Sequence, residues 1–64
     1  MTQEEIIKME INNFIREKEK VTNKMKQSNS PSEIRQYLNK ILMINDILEV
    51  KLERLDKLKQ EEII

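Results

Sequence analysis

Gln27-Ser28-Asn29-Ser30-Pro31-Ser32-Glu33 decides the fold, because it holds the single proline of a 64-residue chain that has no glycine at all. Proline has no amide hydrogen to give and its φ is already helical, so Pro31 suits the first position of a helix and no later one. Ser30 before it has the side chain of an N-cap, and Glu33 three residues on completes a capping box with Ser30. Asn29 is expected in the left-handed conformation that closes the preceding helix. One helix should therefore end near residue 27 and a second should begin at residue 31. A turn over 28–30 is too short for anything but antiparallel neighbours.

Toward the N-terminus, Thr2-Gln3-Glu4-Glu5 forms another capping box, so the first helix should run over about 3–27. Its apolar residues Ile7, Ile11, Phe14, Val21 and Met25 follow heptad spacing. Lys18 takes the remaining seam position, where its methylene stem can lie along the core while the amine reaches water. Toward the C-terminus the second helix should run over about 31–61, with Ile34, Leu38, Ile41, Leu48, Leu52 and Leu55 on one stripe and Asn45 between Ile41 and Leu48. Folding about the turn would pair Met25 with Ile34, Val21 with Leu38, Lys18 with Ile41, Phe14 with Asn45, Ile11 with Leu48 and Ile7 with Leu52. The expected fold is all-α, a single domain over 1–64: an antiparallel two-helix hairpin, coiled-coil-like, assembling as a dimeric four-helix bundle.

Composition supports long helices and narrows the chemistry. Charged and hydrophobic residues each make up 38% and the formal net charge is zero, which argues against disorder. Cysteine and histidine are both absent. Disulfides and thiolate metal sites are thereby excluded, and the commonest zinc ligand and general base are missing. Glu4, Glu5, Glu10, Asp46, Glu49, Glu53 and Asp56 read as solvated helix surface, since a di-iron bundle would need histidine beside its carboxylates. Ser28, Ser30 and Ser32 crowd the turn with no base to activate them. No enzyme activity, metal or cofactor is expected. The longest apolar run, Ile41-Leu42-Met43-Ile44, is too short to span a bilayer, and a cytoplasmic location is expected.

Ile6, Ile15, Tyr37, Leu42, Met43, Ile44, Ile47, Val50 and Leu58 lie off the first stripe. The segment Ile41–Val50 reads ILMINDILEV and is apolar around most of its circumference, so one partner helix should not suffice to cover it. Tyr37, Leu42, Met43, Ile44, Ile47, Val50 and Leu58 are the expected interaction face. The expected function is a non-enzymatic protein–protein interaction module of adaptor, regulator, inhibitor or chaperone type. Its partner would be a second copy, giving a homodimer, a different protein, or both. Asn45 is the candidate for fixing register, as a buried seam asparagine does in coiled coils; an edge position bonded to water is the competing reading.

The alternative is nucleic acid. Arg16 to Lys40 holds seven basic and three acidic residues, leaving the turn end at +4 and the rest of the chain at −4. Arg16, Lys20, Lys24, Lys26 and Arg35 would form the basic patch. Zero net charge and the scarcity of aromatics (only Phe14 and Tyr37) weigh against it. In an antiparallel dimer the same polarity would instead set the basic turn end of one copy against the acidic open end of the other.

Two stretches resemble known families. Met1-Thr2, Glu5 and Phe14-Ile15-Arg16 resemble the start of the Rop RNA-binding hairpins. There the phenylalanine faces outward to RNA, whereas Phe14 falls on the seam and Glu10 stands among the flanking positions, so that role does not carry over. Arg35-Gln36-Tyr37-Leu38-Asn39-Lys40 is similar to the Ser-Gln-Glu-Leu-Asp motif of the Spo0E-like aspartyl-phosphate phosphatases, also short helical hairpins. Gln36 and Leu38 match. Arg35 replaces the serine and Asn39 the acidic residue, so the resemblance implies at most a catalytically inactive regulator that docks on a signalling protein.

Overall fold

The computed structural model describes residues 1–63, with side-chain environments through Glu61. Two helices, α1 (Gln3–Gln27) and α2 (Pro31–Ile63), pack side by side as an antiparallel hairpin. The molecule is a rod of 52 × 18 × 11 Å. α2 continues slightly past the end expected near residue 61.

The helix starts follow from their caps. Thr2 is extended, and its Oγ1 accepts from the amide of Glu5 at 3.1 Å. Glu4 and Glu5 occupy the first turn and Lys24 and Lys26 the last, matching the helix dipole at both ends. At the turn the expected geometry is corrected in two ways. No non-glycine residue among those described has positive φ, so Asn29 is not left-handed. Instead Ser28 caps α1 in an extended conformation (φ −84°, ψ 138°), its N–H donating to the carbonyl of Met25. The second capping box is also rearranged. The Ser28 hydroxyl donates to the Glu33 carboxylate at 2.7 Å, and its oxygen accepts from the Ser30 amide at 3.3 Å. Ser30 begins α2 through its carbonyl, which accepts from Ile34 at 3.0 Å. Ser28 thus links both helices.

α1 turns Ile7, Ile11 and Val21 inward as buried residues, with Phe14, Lys18 and Met25 half-buried. On α2 the inward positions are Ile34, Tyr37, Ile41, Ile44, Leu48, Lys51, Leu55 and Leu58. This corrects the expected stripe at every second seam position. Ile34, Ile41, Leu48 and Leu55 stay inward, but Leu38 and Leu52 are exposed and Tyr37, Ile44, Lys51 and Leu58 replace the intervening set. The spacing is still heptad, with three-residue and four-residue steps exchanged.

The core is thin. Val21, Ile41 and Ile44 form its buried centre, with Phe14, Met25, Tyr37 and Leu48 packed around them. Among the described residues, none is shielded below 2% relative exposure. Two rods touching along one line leave every side chain an open flank, whatever the quality of packing. Among the described residues, no helix is long and apolar enough to cross a membrane.

Candidate functional site

The α2 surface is built from two seams laid over one helix. Because 100° separates successive residues, ILMI at 41–44 points Ile41 and Ile44 into the core and Leu42 and Met43 away from it. Of the expected interaction face, Leu42 (54% exposed), Met43 (66%), Ile47 and Val50 (65%) are exposed. Ile44 is buried in the hairpin core and Tyr37 packs against it. Leu58 is half-buried, beside Thr2, Gln3 and Glu4 of α1. These three therefore leave the expected face, because they occupy the inward heptad positions. Sequence reasoning missed Leu38 and Leu52, both exposed on α2, by assigning them to the seam.

The exposed residues divide between two flanks. Met43, Ile47 and Val50 follow i, i+4, i+7 spacing on one. Lys40 on that flank pairs with Glu17 of α1 at 3.6 Å, and Arg54 closes a shallow groove with Ile6, Ile7 and Glu10. Leu38, Asn45 and Leu52 recur every seven residues on the other, with Leu42 and Glu49 beside them. A groove lined by Leu48 from α2 and by Ile15, Lys18 and Thr22 from α1 runs between the helices. Asn45 is half-buried at the edge between core and surface.

A second inter-helix polar contact centres on Lys51. Its Nζ pairs with the Glu10 carboxylate and sits 5.8 Å from the Phe14 ring centroid. A cation held by a carboxylate and an aromatic face tolerates partial desolvation. The pairing explains why a lysine, and not Leu52, faces α1 at this level. A signal was present: Lys51 lies seven residues after Ile44 and fourteen after Tyr37.

The basic candidates Arg16, Lys20, Lys24, Lys26 and Arg35 are all exposed. Arg16, Lys20 and Lys24 form a stripe at four-residue spacing on the outer side of α1, Lys26 lies on a different side of that helix, and Arg35 belongs to α2. Among the acidic side chains, Glu4 pairs with Lys8 at 3.1 Å and Glu10 with Lys51.

No protein-family model matches the chain, and comparison with curated proteins and with solved structures found no match.

Proposed function

We propose that this chain is a non-enzymatic protein–protein interaction module of the cytoplasm that self-associates into a four-helix bundle and docks a protein through α2. The reading rests on one observation. Of the large hydrophobic residues left exposed, Leu38, Leu42, Met43, Ile47, Val50 and Leu52 all fall within fifteen consecutive positions of one helix. Scattered apolar residues on a surface need no explanation, but a concentration along one rod does. Helix-in-groove recognition uses this i, i+4, i+7 spacing of anchors. Met43 adds an unbranched, polarisable side chain that can follow an irregular partner surface.

The test is retention of host proteins on the immobilised chain, wild type against a Met43→Glu/Val50→Glu double variant. A protein held by the wild type and lost by the variant, with helicity unchanged, supports the reading. Equal retention by both, or by neither, counts against a docking role for this flank.

A nucleic-acid role draws on the Arg16–Lys20–Lys24 stripe alone. It predicts binding to single-stranded RNA that weakens steeply as salt rises and vanishes with all three changed to glutamate.

A further inference from the structure

The two flanks of α2 differ in a property that decides what can cover each of them. Leu38 and Leu52 lie seven residues to either side of Asn45, about 10.5 Å each way along the helix axis. Arg35 and Asp56 lie ten residues before and eleven after it, roughly 15–16 Å away in opposite directions. A two-fold axis through Asn45, perpendicular to α2, would set Leu38 against a partner's Leu52 and Arg35 against a partner's Asp56. Leu42 and Glu49 would meet in between, the leucine lying along the glutamate stem. Leucine finds leucine at the Leu38–Leu52 positions, and the outer charges find their opposites; Glu49 meets Leu42 through its methylene stem alone, with its carboxylate at the solvent edge.

The other flank fails the same operation. An axis through Ile47 places Lys40, seven residues before it, against a partner's Arg54, seven residues after it. Two such like-charge pairs would form by symmetry, and like charges set face to face disfavour association. The Leu38 flank is self-complementary and the Met43 flank is not.

We infer that the Leu38–Leu42–Asn45–Leu52 flank is covered by a second copy of the chain, antiparallel to the first, with Asn45 on the two-fold axis. This deepens the interaction reading and rests on it. The same operation brings the basic turn end of one hairpin, at +4 between Arg16 and Lys40, over the acidic open end of the other. Asn45, half-buried in the single hairpin, becomes a seam asparagine facing its own copy. Each amide can donate to the other's carbonyl, a pairing that selects register at some expense of stability. Met43, Ile47 and Val50 remain outside this contact, free for a different protein.

The chain has no cysteine, so single introduced cysteines report the geometry without interference. Asn45→Cys should form a disulfide-linked dimer under mild oxidation at micromolar concentration. Leu38→Cys and Leu52→Cys should each stay uncrosslinked alone but crosslink when mixed, because only an antiparallel pair brings them together. Both sites are exposed, at 47% and 53%, so the variants should keep wild-type helicity by circular dichroism. Leu38→Cys crosslinking to itself as readily as to Leu52→Cys would overturn the antiparallel arrangement. No crosslink at any of the three positions in folded protein would overturn the second copy. Arg35→Glu and Asp56→Lys should each weaken the dimer about fivefold by sedimentation, and the double variant should recover it; double-variant failure to recover overturns the proposed register. A monomer that still retains a host protein through Met43 and Val50 would sink this inference and the self-association, and leave the docking role of α2 standing. A monomer that retains none would sink both.

Discussion

Ile41 and Ile44 differ from Leu42 and Met43 in little but their angle around α2, yet the first two are 9% and 4% exposed and the second two 54% and 66%. All four are large and apolar, and all lie in one helix over one turn. The difference teaches that hydrophobicity alone does not decide burial along this rod. One face packs into the hairpin, while the remainder contributes little to the isolated fold.

Substitution should separate the two most clearly at adjacent positions. Ile44→Ala should cost about 2–4 kcal/mol of stability through lost burial and an unfilled cavity. Met43→Ala should cost less than about 0.5 kcal/mol. Urea unfolding followed by circular dichroism, at one low protein concentration for both, makes the comparison. Equal losses would erase the distinction between the faces.

A second variant sharpens the boundary from inside. Lys51 is the charged residue at an inward position of α2, and its side chain is 25% exposed. Lys51→Leu removes the contacts with Glu10 and Phe14 but adds buried apolar area, and replacing a partly buried ion pair with a well-packed residue is often stabilising. The urea midpoint should rise, by about 1 kcal/mol of added stability. A fall of similar size would show that Lys51 holds the helices in register more strongly than a leucine could.

Much of this architecture could be read without coordinates, and the reasons are local. Thr2, Ser30 and Pro31 act through their own backbone neighbourhood, so the helix starts and the turn are legible one residue at a time. The seam of α1 is equally plain, because Ile7, Ile11, Phe14, Val21 and Met25 have few apolar competitors beside them. On α2 the competition is real. Tyr37 and Leu38 are adjacent, as are Ile44 and Asn45, and Lys51 and Leu52, so both alternating registers find apolar side chains at most steps. A single helix cannot choose between them. Glu10 and Phe14 on the facing helix do, by giving Lys51 a carboxylate and a ring. The candidate surface inherited that ambiguity. Leu42, Met43, Ile47 and Val50 face outward in either register, whereas Ile44, Tyr37 and Leu58 depend on which is adopted. Asn29 departs from the expected conformation for a different reason: its intrinsic tolerance of positive φ is outweighed by the extended Ser28 cap.

Smaller effects should appear where the hairpin is joined and on its outer surface. Ser28→Ala removes the hydroxyl that bridges Glu33 and the Ser30 amide, and should cost about 0.5–1 kcal/mol in the same urea assay. If the change were neutral, the turn would be held by Pro31 and packing alone. Lys8→Ala breaks an i, i+4 pair with the half-buried Glu4, in which Lys8 is exposed. It should cost about 0.3 kcal/mol, a difference that disappears in high salt because exposed pairs are screened.

The three-residue connection between Gln27 and Pro31 also sets the route by which the chain reaches this state. Ends separated by so few residues meet at small entropic expense, and each later contact enlarges an already closed loop only slightly. Assembly should therefore begin beside the turn, where Met25 packs against the Val21–Ile41–Ile44 core, and proceed like a zipper toward Ile7, on a microsecond-to-millisecond timescale. Stopped-flow or temperature-jump relaxation would show it: Met25→Ala should slow refolding, whereas Ile7→Val should chiefly hasten unfolding.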